Sequence, residues 1–284
     1  MAEPPNESVS QEPRTRVGLR FDPRLAEGAL AGERLAALLE AAPQAEAQGF
    51  DVLWVAERPT SEAALVPSAL VLCASVAMRT ERLRIASGLL PLPFYHPLRV
   101  AEDAASLDGL SAGRFELGVG LGADPGALVH FGVDAEERIA RFEEALDLIA
   151  AAWRGPLEFP GHFFPTENVE IHPRPVQPGG PPLWIGVEAP AAQRRVAERR
   201  QGLVLRAGVS AGPYLEALAP GQPSRVAFLL GSDTDAPPLS NGHREIVCCD
   251  WVLPMAPDLE PEAIAPEVER LAERAASLRL GTAD

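Results

Sequence analysis

The 284-residue chain has no lysine: its 25 lysine-plus-arginine positions are all arginine, against 40 acidic residues. Without lysine the protein can form no Schiff base with a carbonyl substrate and has no phosphate-binding lysine of the P-loop kind. The net charge of -15 also argues against a nucleic-acid partner, because a phosphate backbone is bound mainly through clustered basic side chains. A Schiff-base lysine and a P-loop lysine are therefore excluded, and we expect no nucleic-acid partner.

Cysteine and histidine are scarce as well. The three cysteines are Cys73, Cys248 and Cys249, and none has the C-x-x-C spacing of a zinc or redox site. We interpret them as structural thiols in a reducing compartment. The five histidines form no H-E-x-x-H motif and no pair at i, i+4, so the sequence predicts no metal site.

Long hydrophobic runs are missing too. No apolar run approaches the roughly 20 residues of a membrane span, and the polar start MAEPPNESVSQEPRT lacks the basic-then-apolar pattern of a secretory signal. We expect a cytoplasmic protein without a membrane partner. Residues 1–15 are expected to form a disordered tail, and residues 16–284 a single domain.

Short β-rich runs alternate with stretches of helical period along this domain, a pattern typical of parallel βαβ units. Eight strands, most of them followed by a helix, predict one (β/α)₈ barrel. Asp134 is placed to cap the fourth helix. The predicted strands are TRVGLRFD, FDVLWVAE, LRIASGLLPLP, RFELGVGLG, PLWIGVE, GLVLRAG, RVAFLLGSD and REIVCCDWVLPM.

Two segments break the alternation. Residues 155–182, after the fourth helix, are rich in proline and aromatics, and a connection of this length predicts a lid or an inserted hairpin. Between the seventh and eighth strands, TDAPPLSNGH is too short and proline-rich for a normal helix. The region between these strands is therefore predicted to be shortened.

Ligands of such barrels bind at the C-terminal ends of the strands. Glu57 and Arg58 end the second predicted strand, His96 follows the third, and Arg206 ends the sixth. The glycines of GVGLG, at the end of the fourth strand, leave room for a flat ligand to approach the backbone, or else form a tight turn. Arg114 precedes that strand, so we expect it at the barrel bottom in a structural ion pair with Asp108 or Glu102.

Five stretches in a fixed order carry a resemblance to a known family. Together, over roughly residues 16–210, the chain resembles the luciferase-like monooxygenases, the flavin- or deazaflavin-dependent barrels that include bacterial luciferase. One stretch, such as LSAGRF, would be weak support; the ordered set is strong. The stretches are AEAQGFDVLWVAER, RTERLRIASGLLPLPFYHPLRVAED, LDGLSAGRFELGVGLG, FGVDAEERIARFEEAL and HPRPVQPGGPPLWIGV.

The resemblance implies oxidation or monooxygenation of a small organic substrate by a reduced flavin, most simply FMN, or by a deazaflavin. It also implies a non-prolyl cis peptide in SGLL, a dimer of like or unlike subunits, and a flavin reductase or other electron donor. The implied catalytic residues are Arg58 and His96, although His96 could equally cap the third helix. The implied cofactor-binding residues are Glu57, Ser87, Gly88, Leu89, Gly120, Gly122, Gly186, Val187, Glu188 and Arg206.

Three positions depart from the family pattern. Arg58 stands where many members have a histidine, and an arginine cannot act as a general base near neutral pH, although its charge can stabilise an anionic flavin species. Leu121 replaces an arginine that reaches the phosphate in the luciferase branch, and Glu188 with Ala189 replaces a turn whose serine holds it. The alternative hypothesis is therefore a catalytically weak or silent member that serves as a partner subunit or binding protein.

Overall fold

The computed structural model describes residues 14–22, 24, 30–61, 65–122, 124–230, 248–256 and 259–280. The strands are β1 (Arg14–Phe21), β2 (Val52–Val55), β3 (Arg84–Ser87), β4 (Leu90–Pro91), β5 (Phe115–Gly120), β6 (Leu157–Phe159), β7 (Thr166–Val169), β8 (Leu183–Gly186), β9 (Gly202–Arg206), β10 (Arg225–Leu229) and β11 (Cys248–Pro254). The helices are α1 (Ala31–Ala47), α2 (Ala69–Ala77), α3 (Pro97–Leu110), α4 (Pro125–His130), α5 (Arg138–Ala152), α6 (Pro190–Glu198), α7 (Gly212–Ala217) and α8 (Pro261–Leu280), with one 3₁₀ turn at Leu92–Phe94.

Eight of these strands form a closed parallel barrel. Their order around the ring is β1, β2, β3, β5, β8, β9, β10 and β11, and β11 pairs with β1 to close it. This confirms the predicted (β/α)₈ architecture. Within the described part of the chain, no helix combines the length and hydropathy that a membrane crossing requires.

The barrel strands are buried on both faces, which explains their nearly continuous apolar sequences. Alternate residues point inward, where Trp54 and Trp184 meet edge to face with ring centroids 5.7 Å apart. The other face of each strand packs against the surrounding helices. The inner cluster consists of Val52, Trp54, Ala86, Trp184, Val204, Ala227 and Val252.

The segment between β5 and α5 differs from the prediction. Asp134 was expected to cap the helix, but α5 begins at Arg138, and the Asp134 carboxylate accepts a hydrogen bond from the Glu136 amide in the preceding turn. The short helix α4 was not predicted, and Asp124 caps it by accepting from the Gly126 amide at 2.9 Å. An aspartate therefore does cap a helix here, but ten residues earlier.

The long segment after α5 contains an antiparallel hairpin, β6–β7. Its tip is held by Glu144 on α5, whose carboxylate accepts the amides of His162, Phe163 and Phe164 at 2.7 to 2.9 Å. These bonds attach the tip to the outer helix layer. Of the two predicted alternatives, the structure has the inserted hairpin. The predicted shortened region, TDAPPLSNGH, lies outside the described residues.

Arg114 has the expected structural role but different partners. Asp108 instead accepts two bonds from Gln177, so the predicted ion pair is wrong. The Arg114 guanidinium instead donates hydrogen bonds, mainly to carbonyl groups at the end of α2 and in the following turn, which have no partner within the helix. It donates at 2.7 to 2.9 Å to the carbonyls of Ala77, Thr80, Leu83 and Ser111 and to the Thr80 hydroxyl.

A buried carboxylate organises the bottom of the barrel. Glu116, on β5, is 1% exposed and accepts hydrogen bonds from Arg16 at 2.7 and 3.1 Å and from the Trp184 indole at 2.6 Å. Arg84 donates to it as well. Burial by itself raises the pKa of Glu116, but the charges of Arg16 and Arg84 outweigh it and hold the pKa well below its usual range.

We predict that Glu116→Gln lowers the free energy of unfolding by about 3–5 kcal/mol at pH 7, since it removes the buried carboxylate on which the Arg16 and Arg84 guanidiniums converge. Because the folded-state pKa is depressed, this contribution is present above the unfolded pKa of about 4.3 and is lost as the pH falls below it. Urea denaturation from pH 8 to pH 3.5 measures this. Glu40→Gln, in an exposed pair with Arg79, is the control; equal losses in both variants would contradict the prediction.

Candidate active site at the barrel mouth

The site begins where β3 and β5 close the barrel. Their direct pairing stops after Ala86, and above it the buried Ser87 hydroxyl donates to the Gly118 carbonyl at 2.8 Å and accepts from its amide at 3.0 Å. A side chain at Gly118 would overlap the Ser87 carbonyl oxygen. Ser87, a predicted cofactor contact, therefore serves barrel closure in this structure.

Between β3 and β4 the chain crosses the barrel mouth. The Gly88–Leu89 peptide is cis, in the SGLL stretch where the resemblance implied one. The Leu89 side chain fills a notch over β5 and β8. A Cβ added at Gly186 would overlap the Leu89 Cδ1, and one added at Gly120 would lie 3.3 Å from it. These two glycines thus make room for Leu89.

The Gly88–Leu89 segment and the Leu89 side chain in its notch form an apolar floor. Gly88 lies directly above Trp54, since a Cβ on it would be 3.0 Å from the indole. Leu89 and Leu229 pack on the inner cluster from above and are only partly buried. Gly122 lies just beyond, at the rim, with φ +70°, and its added Cβ would lie 3.0 Å from Phe94. Its place in the GVGLG motif is thus a tight turn.

Arg58 belongs to a charged cluster on the β1–β2 side of the mouth. Its Nε and Nη2 both donate to the Asp22 carboxylate at 2.6 Å, and Arg20 Nη2 lies 3.1 Å from the same carboxylate. Arg20 also reaches the Gly88 carbonyl at 3.4 Å. Arg20 and Asp22 were not among the residues predicted from the sequence. Every second side chain of a barrel strand points inward, and Gly18, Arg20 and Asp22 are spaced two residues apart. This alternation is the signal that could have identified them.

The electrostatics of this cluster follow from its geometry. Burial raises the pKa of Asp22, but the hydrogen bond from Arg58 and the charge of Arg20 bring it below its usual range. The hydrogen bond to Asp22 raises the pKa of Arg58. Burial lowers the pKa of Arg20, with Arg58 adding to the shift. Asp22 therefore stays ionised and holds both guanidiniums at the mouth.

Glu57, the neighbour of Arg58, faces the other way. Its side chain is buried among the outer helices, where it accepts from the Ala69 amide at the start of α2 at 2.8 Å and from the Tyr95 hydroxyl at 2.6 Å. Burial raises its pKa, although both hydrogen bonds oppose the shift. Both oxygens are thus engaged away from the mouth, and the structure separates the two members of the predicted charged pair.

A second ion pair lies on the opposite rim, since β8 and β9 stand across the ring from β1 and β2. The Arg206 guanidinium donates to Glu188 at 2.5 and 2.8 Å, and both side chains are exposed. Both groups are charged, and their opposite charges cancel at the predicted phosphate position. Ala189 begins α6 without a side-chain cap, Leu121 packs against the outer core, and Val187 is buried in it.

His96 lies at the start of α3. Its Nδ1 accepts from the Leu98 amide at 3.3 Å, which makes it the helix cap considered from the sequence. The ring is exposed and meets Phe164 of the hairpin edge to face, with centroids 5.4 Å apart. Because Nδ1 is the acceptor, the neutral ring carries its proton on Nε2.

Comparison with known proteins agrees with this geometry. Residues 15–219 match the profile of the luciferase-like monooxygenases. The barrel superposes with a TM-score of 0.70 on the crystal structure of the monooxygenase RslO1 from Streptomyces bottropensis, at 24% identity over 77% of this chain and 72% of that one. At this identity the likeness concerns the fold.

Two curated relatives have different cofactors in their names. The oxygenase component of the flavin-dependent trigonelline monooxygenase of Acinetobacter baylyi is 28% identical over 54% of this chain and 43% of its own length. The F420-dependent glucose-6-phosphate dehydrogenase of Nakamurella multipartita is 30% identical over 64% of this chain and 56% of its own length. The chain spans about half the length of these relatives.

We predict that Gly186→Ala destabilises the protein by about 1–3 kcal/mol, because the new methyl group must displace Leu89 from its notch. Leu89→Ala should remove most of this penalty, so that the double variant loses at least about 1 kcal/mol less than the sum of the single losses. Denaturant unfolding of the four proteins measures the coupling. Strictly additive losses would mean that Leu89 does not occupy the notch.

Proposed function

Because the chain belongs to the luciferase-like monooxygenase family, we propose that it is a flavin- or deazaflavin-dependent oxidoreductase or monooxygenase acting on a small organic substrate. The observation that carries this proposal is the mouth itself. An apolar floor of Leu89 over Trp54 lies at the C-terminal ends of the barrel strands, with arginines along one edge. Barrels of this kind bind their ligands at this end.

The residues present fit the ring of a flavin better than its phosphate. A flat aromatic ring can lie on Leu89 and the Gly88–Leu89 peptide, and cations at its edge favour negative charge on it. At the family's phosphate position, in contrast, Glu188 already neutralises Arg206, and Ala189 offers no hydroxyl. We therefore assign ring binding to Leu89 and Gly88, with the charge of Arg58 near the ring's edge, and leave the phosphate to backbone amides at the start of α6.

A bound reduced flavin or deazaflavin supplies the redox chemistry, and FMN is our first candidate. The chain's own residues orient it and exclude water from its lower face. Arg58 contributes charge, since it does not exchange protons near neutral pH. His96 is our candidate for proton exchange, through Nε2. Glu57, engaged at α2, is given no cofactor role.

The remaining partners are also part of the proposal. The trigonelline relative is named an oxygenase component, and by analogy we propose that a separate flavin reductase supplies reducing equivalents here. A dimer of like or unlike subunits and a cytoplasmic location remain predictions from the sequence. Size-exclusion chromatography with light scattering decides the oligomeric state.

Fluorescence titration tests the cofactor. We expect the purified chain to quench bound FMN or F420, and Leu89→Gln to weaken binding about tenfold, since it places a polar amide under an apolar ring. Leu110→Gln, at an exposed leucine at the end of α3, is the matched control and should leave binding unchanged. The titration is run in air with the oxidised cofactors. The reduced cofactors are then tested anaerobically, by their competition with the oxidised ones.

Binding of neither cofactor in either redox state would contradict the proposal. That result would favour the alternative of a silent family member acting as partner subunit or binding protein. The mutual pairing of Glu188 with Arg206 is the observation that favours this second candidate.

A further inference from the structure

We propose that the substrate is an organic acid with an apolar body, and that its carboxylate binds to Arg20 and Arg58. This inference rests on the proposed function, because it names the substrate class of the same barrel mouth. In the sequence, Arg58 is separated from Arg20 and Asp22 by more than 30 residues. The cluster that Arg20, Asp22 and Arg58 form exists only in the folded barrel.

The cluster of Arg20, Asp22 and Arg58 has a net positive charge. Two guanidiniums share the single carboxylate of Asp22, and Arg24 adds to the positive potential at that carboxylate. The described residues therefore leave an excess of positive charge on this side of the mouth. In a chain of net charge -15, such a local excess concentrates anions where the average surface repels them.

Both arginines keep N–H donors that Asp22 and Gly88 do not use. Arg58 uses Nε and Nη2 for Asp22, and Arg20 uses Nη2 for Asp22 and Nε for the Gly88 carbonyl. The Nη1 group of each arginine has no partner among the described residues. Asp22 holds both planes in place, so the two Nη1 groups can donate to a second carboxylate without losing the first.

The cluster is also accessible from solvent. The exposed fraction of the side chain rises from 14% for Asp22 to 23% for Arg20 and 41% for Arg58. Arg58 is thus the member of the cluster most accessible to solvent, and Asp22 the least. Partial burial strengthens a charge-assisted hydrogen bond relative to one in bulk water.

The floor then specifies the rest of the molecule. With the flavin ring on Leu89, Leu229 presents further partly buried apolar surface at the mouth. A ligand that satisfies both regions has an apolar body and one anionic end. A carboxylate is the anion we assign, because it offers one oxygen to each of the two remaining Nη1 groups.

Isothermal titration of acids against their amides tests this directly. The probes are benzoate, phenylacetate and octanoate, each paired with its amide, titrated into the full chain with and without saturating FMN. We expect at least one acid to bind about tenfold more tightly than its amide, because hydrogen bonds to charged groups are about twice as strong as neutral ones. Equal affinities in all three pairs would overturn the inference.

Variants of the two arginines test which side chains cause the preference for the acid over its amide. Arg20→Met and Arg58→Met should each bring the acid-to-amide ratio close to one, whereas Arg58→Lys keeps the charge and should retain part of the preference. Arg79→Met is the matched control, since Arg79 is 43% exposed and also pairs with a carboxylate, Glu40, away from the mouth. Near-ultraviolet circular dichroism verifies that each variant is folded. A preference that survives in both methionine variants overturns the assignment.

The FMN arm separates this inference from the proposed function. Flavin binding without any acid preference overturns the organic-acid substrate alone. An acid preference without binding of flavin or deazaflavin overturns the proposed cofactor and leaves the carboxylate site. If acid and FMN exclude each other, the arginines hold the cofactor and the substrate assignment is wrong.

Discussion

The barrel mouth depends on one constraint: the amide and carbonyl of Gly118 are buried where β3 no longer pairs with β5, and they must still be hydrogen-bonded. The Ser87 hydroxyl meets both needs at once. This frees Gly88 and Leu89 from pairing with β5, so that the chain crosses inward there before pairing with β5 resumes in β4. The apolar floor is a direct consequence of that crossing.

The glycines around the mouth take their meaning from the same crossing. The GVGLG motif suggested room for a ligand at Gly120, and the family resemblance implied a cofactor contact at Gly186, but Leu89 occupies the space that both glycines leave. At these two positions, on β5 and β8, the space of two side chains is thus filled by one leucine from the β3–β4 connection. The leucine thus presents an apolar surface where the two glycines alone would expose bare backbone.

Charge is distributed in three separate groups along the barrel. Glu116 with Arg16 and Arg84 closes the bottom, where a buried charge contributes to stability. At the mouth, the pair on the β8–β9 side is neutral, whereas the cluster around Asp22 retains positive charge. Among the described residues, this last group combines surplus charge, unused donors and an adjacent apolar surface, and these are the properties of a site that recognises an anion.

The sequence by itself determined the barrel, because parallel strands covered on both faces need nearly continuous apolar runs separated by helical periods, and that pattern is local. It also placed Arg58, His96, Arg206 and the glycines near one end. It did not determine which way neighbours point: Glu57 turns outward to α2 while Arg58 turns to Asp22. The partners of Arg58 and Leu89 come from residues 30 to 100 positions away, so only the closed barrel decided the chemistry of the mouth.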